Sequence, residues 1–185
     1  MPVAGIVFVG SSIFRLWSTL TDQMAPLPVL NRAFGGSQTP DQLYFFDRTV
    51  ARYRPRVIVY YCGSNDLNEG TSARQIAENV QAFARRAHAE LPAARLVFTS
   101  VLRAPQKRAR WSGVDSVNAA VKAWVASDTL ASYVDLNPAV FDASGAPRLE
   151  LYRPDLLHYE MPAYALFSAI LRPVVERAWV ASQAR

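Results

Sequence analysis

Near its C-terminus the chain reads Arg153-Pro154-Asp155-Leu156-Leu157-His158-Tyr159, which sets one of its two histidines three residues after a carboxylate. Histidine is the side chain whose ordinary titration range lets it take and return a proton near neutrality, and a carboxylate on one ring nitrogen fixes its tautomer and orientation. Asp155 and His158 therefore make an acid–base pair that lacks a nucleophile. The opening run Gly5-Ile6-Val7-Phe8-Val9-Gly10-Ser11-Ser12-Ile13 offers one. Its apolar residues, bounded by glycines, read as a buried strand, and its serines fall in a tight turn ahead of the helical pattern Ile13, Leu16, Trp17, Leu20. A serine there stands at the carboxyl end of a strand and the start of a helix, where open α/β sheets place their ligands. Ser11 and Ser12 both satisfy that description. Two further loops, Asn31 to Ser37 and Tyr61 to Asp66, can complete a site.

Taken in order, these four segments resemble the SGNH (GDSL-type) esterase and lipase superfamily over nearly the whole chain. The family's blocks contribute a Ser, a Gly, an Asn and an Asp-x-x-His, which the resemblance places on Ser12, Gly36, Asn65, and Asp155 with His158. The stretches Phe-Val-Gly-Ser-Ser-Ile ahead of a Trp, Asn-Arg-x-Phe-Gly-Gly-Ser and Gly-x-Asn-Asp are similar to a bacterial branch related to platelet-activating-factor acetylhydrolase-like enzymes. The resemblance implies a serine ester hydrolase acting on a small-molecule ester. Ser12 would be its nucleophile, His158 its base and Asp155 the orienting carboxylate. An oxyanion hole would be formed by the N–H of Ser12, the N–H of Gly36 and the Asn65 amide. The chain departs from the family where the first block usually reads Gly-Asp-Ser and here reads Gly10-Ser11-Ser12. Whatever a carboxylate contributes at position 11 must be replaced or lost, and Ser11 is expected to cap the helix or brace the loop.

Other residues compete for these roles. Asp66 and Asp135 follow strands and are alternative orienting carboxylates, while His88 lies mid-helix among Arg85, Arg86 and Glu90 and reads as a surface residue. Trp111, after the basic proline-containing segment from Leu102 to Arg110, is a candidate for lining the substrate pocket. Cys62, the only cysteine, follows an apolar run and reads as a small buried hydrophobe. One cysteine and two distant histidines form no zinc-type ligand cluster, so no metal and no cofactor is expected.

A chain of 185 residues with 51% hydrophobic and 19% charged residues suits one globular domain over 1–185. The net charge of +5 raises a nucleic-acid reading, but the basic residues are spread out and the one dense cluster, Lys107-Arg108-Ala109-Arg110, reads as a solvated loop. No nucleic-acid partner is expected. No uncharged apolar run of membrane-spanning length occurs, and Met1 to Gly5 shows no basic leader, so the expectation is a cytoplasmic protein without a membrane span. The rival functions are a lysophospholipase or thioesterase with a longer acyl pocket, a catalytically idle binding module, and a polyanion-binding surface.

The elements that must position these residues alternate between strand and helix. Strands are expected at 6–9, 29–31, 57–61, 96–101 and 133–136, with helices near 12–20, 41–54, 72–91, 113–127 and 162–181. Thr71 is placed to cap the third helix, Leu91-Pro92 to stop it, Pro40 to sit in a first turn, and Pro173 to kink or interrupt the last helix. The alternation fits a three-layer α/β/α sandwich with a flavodoxin-like five-stranded parallel sheet in the order 2-1-3-4-5. That topology gathers the loops after the first three strands at one sheet edge.

Overall fold

A computed structural model describes residues 5–184; the reading of Met1 to Ala4 as leader-free lies outside the described residues. Five parallel strands, β1 (Ile6–Gly10), β2 (Val29–Asn31), β3 (Val57–Tyr61), β4 (Arg95–Thr99) and β5 (Ala131–Val134), form one sheet in the order β2-β1-β3-β4-β5. β1 and β3 lie inside the sheet and are buried along their whole length, which is why they read as unbroken apolar runs. Their register pairs Ile6 with Val57 and Gly10 with Tyr61.

Alternate strand residues feed two cores. Ile6, Phe8, Val57, Val59 and Tyr61 face α1 (Ser12–Arg15), α2 (Leu20–Met24) and the long C-terminal helix, whereas Val7, Val9, Ile58 and Tyr60 face the helices that follow β2, β3 and β4. On the first face Phe8, Phe14, Trp17, Tyr164 and Phe167 form a continuous aromatic group, with Phe8 and Phe14 ring centroids 5.4 Å apart and Trp17 and Tyr164 also 5.4 Å apart. Each such ring contributes roughly 1.5–3 kcal/mol of burial free energy. The group clamps the turn after β1 against the C-terminal helix.

Several helices depart from their expected extents. The helix expected over 12–20 is divided into α1 and α2, because the Asn31 side-chain amide takes the Phe14 carbonyl at 2.7 Å and Trp17 falls back to a three-residue bond on that same carbonyl. The helix expected over 41–54 is three pieces, α3 (Thr39–Tyr44), α4 (Phe46–Thr49) and a 3₁₀ turn (Ala51–Tyr53). Thr49 bonds back to the Phe45 carbonyl at 3.0 Å, the kind of competition that bends helices. Pro40 does sit in the first turn of α3. After α5 (Ser64–Asn68), the cap of α6 (Ala73–Glu90) is Ser72, not Thr71: the Ser72 hydroxyl accepts the Gln75 N–H at 3.2 Å. α7 spans Trp111–Val125. The last helix, α8 (Met161–Gln183), runs on through Pro173, because Pro173 and Ala169, whose carbonyl loses its donor, both face solvent. No described helix is long and apolar enough to cross a membrane.

β1 and β3 approach closely at Gly10, whose φ of +139° suits glycine and where a Cβ would lie 1.8 Å from the Tyr61 carbonyl oxygen. Gly10→Ala is accordingly expected to lower stability by more than about 2 kcal/mol. Urea denaturation checks this; an unchanged midpoint would contradict the close approach.

Candidate active site

The turn after β1 fixes Ser12. Ser11 N–H donates to the Tyr61 carbonyl at 3.1 Å, and the buried Tyr164 hydroxyl donates to the Ile13 carbonyl at 2.9 Å, so the turn is tied to β3 on one side and α8 on the other. Ser11 occupies the cap position of α1 in extended conformation, but its hydroxyl makes no capping bond and the residue is 2% exposed. Ser12 is the serine that reaches the histidine. Because α1 is a single turn, its dipole adds little.

The loop between Tyr152 and Tyr159 closes on itself and presents His158. Arg153 N–H donates to the His158 carbonyl at 2.8 Å, and Tyr152 pairs with Tyr159 as an antiparallel bridge. Leu156 adopts φ +54°, rare for a side chain of its size. That conformation lets the N–H groups of Leu157 and His158 both donate to Asp155 Oδ1 at 2.9 Å. The other carboxylate oxygen, Oδ2, lies 2.6 Å from His158 Nδ1, and His158 Nε2 lies 2.9 Å from Ser12 Oγ. A carboxylate only accepts, so Nδ1 carries the proton and Nε2 is left to accept from the Ser12 hydroxyl. Partial burial pushes the Asp155 carboxyl up, but the hydrogen bonds from the His158 ring and the two backbone N–H groups outweigh it and hold the carboxyl at about 2.

Gly36 and Asn65 lie on the two neighbouring loops. Phe34 N–H donates to the Gly10 carbonyl at 2.9 Å and the Ser37 hydroxyl reaches the same carbonyl at 3.2 Å, which binds the loop after β2 to the nucleophile turn. Gly36 has φ +75°, and a Cβ placed there would meet nothing within 4 Å, so the space on its side-chain side is open. Asn65 donates one amide hydrogen to the Ser37 carbonyl at 3.0 Å, and among the described residues the second has no acceptor. Among the described residues no hydrogen bond occupies the N–H of Ser12 or of Gly36. Unoccupied donors of this kind suit an oxygen that gains charge during acyl transfer.

The rival residues are otherwise engaged. Asp66 is fully buried and accepts from the N–H and hydroxyl of Thr39, while Asp135 accepts from the N–H and side-chain amide of Asn137. His88 is partly exposed at the surface, as its sequence context suggests, and is held by Asp128 at 2.8 Å. Cys62 is buried, and burial pushes its thiol well above the ordinary range. Trp111 donates to the Ala104 carbonyl at 2.9 Å and packs edge-on against Phe141. Among the described residues no group of three or more His, Cys, Asp and Glu side chains is placed to hold a metal ion. The supports Asn31, Ser37 and Tyr164 are not recognisable from the sequence, since nothing in a lone Asn, Ser or Tyr marks the distant carbonyl it will meet.

The model of the GDSL-like lipase/acylhydrolase family matches residues 9–166. The chain belongs to that family. Its members are ester-hydrolysing enzymes, and the fold agrees: a GDSL-like lipase from Bacteroides thetaiotaomicron superposes with a TM-score of 0.80 at 24% identity, covering 94% of this chain and 88% of that one. The lipase/acylhydrolase from Enterococcus faecalis gives 0.78 at 20% identity, covering 94% and 96%. Platelet-activating factor acetylhydrolase IB subunit alpha2 from Gallus gallus is 28% identical over 101 residues, a match that spans 52% of this chain and 43% of that protein.

The electrostatics of the acidic loop are directly measurable. The Asp155 carboxyl carbon should titrate near 2 by NMR, and its midpoint should rise toward the ordinary carboxylate range in His158→Ala, where the ring bond is gone. An Asp155 midpoint of about 4 in the unaltered protein would contradict the hydrogen-bonded arrangement.

Proposed function

We propose that this family member is a serine ester hydrolase, built as one domain over 1–185, that works through an acyl-enzyme on Ser12. The observation that carries the reading is the unbroken chain from Asp155 through His158 to Ser12, with contacts of 2.6 and 2.9 Å. His158 Nε2 takes the Ser12 proton as Oγ forms a bond to the ester carbonyl carbon, and Asp155 stabilises the imidazolium so formed. The negative oxygen is received by the N–H groups of Ser12 and Gly36 and the free amide hydrogen of Asn65. Collapse of the intermediate breaks the bond to the leaving oxygen, which takes the proton from His158. Water, deprotonated by the same nitrogen, then cleaves the acyl-enzyme and returns the proton to Ser12.

The substrate is a small-molecule ester with a short acyl group, acetyl to butyryl. The His158 side chain is 22% exposed and that of Asp155 45%, and Gly36 is open to solvent, which describes a shallow and wet site. A longer chain gains roughly 0.8 kcal/mol per methylene only where that methylene is buried. Trp111 is proposed to line one side of the site, on the connection that follows β4.

Hydrolysis of nitrophenyl acetate tests the reading. Ser12→Ala and His158→Ala should each lose at least about a thousand-fold in kcat, whereas Ser11→Ala should retain most of the activity. Loss in Ser11→Ala with survival of Ser12→Ala would overturn the assignment. On acidification kcat/KM should fall with unit slope: protonated imidazole cannot accept the serine proton, while Asp155 stays ionised down to about 2 and adds no second step. A slope of two above pH 4 would contradict the stated ionisation of Asp155. Along a series of nitrophenyl esters kcat/KM should be highest from acetyl to butyryl, and a steady climb toward dodecanoyl would replace the shallow site with a lysophospholipase or thioesterase trough.

A further inference from the structure

Asn65 serves as an oxyanion donor only if its turn is already in place when charge develops, since a donor that must reorganise at that moment gives up much of its effect. The turn begins at Ser64, and Ser64 is held by a lysine. Lys107 is 5% exposed, and its ammonium donates to the Ser64 carbonyl at 3.0 Å and to the Ser64 hydroxyl at 2.9 Å. It forms no ion pair among the described residues. Burial pushes its pKa down, with the Asp66 carboxylate opposing that shift.

A buried ammonium without a paired carboxylate is costly, and an apolar side chain of similar shape would serve packing as well or better. Its bonds explain its presence in another way. The carbonyl it holds belongs to the Ser64–Asn65 peptide, so the cation fixes the plane from which Asn65 departs. Lys107 lies in the 3₁₀ segment Pro105–Arg110, and its neighbour Gln106 donates its N–H to the Leu156 carbonyl at 3.1 Å. One short segment thus grips the turn of Asn65 with one residue and the loop of Asp155 and His158 with the residue before it.

We propose that Lys107 is a positioning residue for the oxyanion hole, clamping the Ser64–Asn65 peptide so that the Asn65 amide stands ready for the developing negative oxygen. The proposal rests on the esterase reading above. It assigns to the basic cluster at Lys107, which reads from sequence as a solvated loop, one buried member with a task in catalysis.

A double-mutant cycle on nitrophenyl acetate tests it. Lys107→Met, nearly isosteric and apolar, should lower kcat about ten- to a hundred-fold with KM little changed, because the held donor matters most in the transition state. In the Asn65→Ala background the same substitution should cost less than about two-fold, because the group through which Lys107 acts is gone. Lys107→Gln, which keeps a neutral donor on a shorter stem, should fall between lysine and methionine. A loss that persists undiminished in the Asn65→Ala background, or one confined to KM, overturns the proposal. So does failure of both Lys107 variants to fold by circular dichroism, which would make the residue a stability element alone. Absence of turnover in the unaltered protein would defeat the esterase reading and the Lys107 proposal with it, whereas with turnover present the cycle decides Lys107 by itself.

Discussion

The hydrogen bond between Ser12 Oγ and His158 Nε2, 2.9 Å long, joins residues 146 apart in sequence, and neither partner can hold it alone. Ser12 is exposed to the choice between a local turn and a longer helix; His158 sits on a loop outside any regular element. Each end therefore needs its own anchor. For Ser12 the anchors are the Gly10 approach to Tyr61, the Asn31 amide on the Phe14 carbonyl and the Tyr164 hydroxyl on the Ile13 carbonyl. For His158 they are the Tyr152 to Tyr159 bridge and the carboxylate of Asp155, which binds two backbone N–H groups and the ring together.

Parallel topology supplies the rest. All strands point the same way, so the loops after β1, β2 and β3 leave from one edge, and the loop before α8 returns there. Between those loops lies a layer of buried polar groups instead of a hydrophobic one. Ser37 bonds Gly10 and Phe34 carbonyls and accepts from the Gln42 amide, and Thr39 joins Asp66 to Asn79. Such a network is directional where apolar packing is not, and it fixes the spacing of loops that carry no regular structure. Among the described residues one carboxylate oxygen of Asp66 and the Gln42 side-chain oxygen make no hydrogen bond within this network.

The strand order and the three-layer arrangement were legible because the alternation of strands and helices is a local pattern, and the candidate site residues were legible as candidates because they fall in short motifs. β1 and β3 are apolar throughout and bounded by turn residues, and Asp155 and His158 are only three positions apart, within one loop. What escaped the sequence depends on distant partners or on the exact backbone geometry. The division of the first helix follows from Asn31, seventeen positions beyond the carbonyl it takes. The cap of α6 moved by one residue, from Thr71 to Ser72, because both have a suitable hydroxyl and only the backbone geometry chooses. Pro173 does not interrupt α8, since its outward face lets water satisfy the carbonyl it leaves. Lys107 was hidden in a basic cluster, where composition points to solvent, and only tertiary packing shows that it is buried.

Catalysis as proposed depends on activation of the Ser12 hydroxyl by His158. Reaction with a serine-directed fluorophosphonate, followed by peptide mapping by mass spectrometry, reads this directly. A covalent adduct on Ser12 that forms rapidly in the unaltered protein and is abolished in His158→Ala is the predicted result. An adduct on Ser11, or one on Ser12 that forms equally fast without His158, would contradict it.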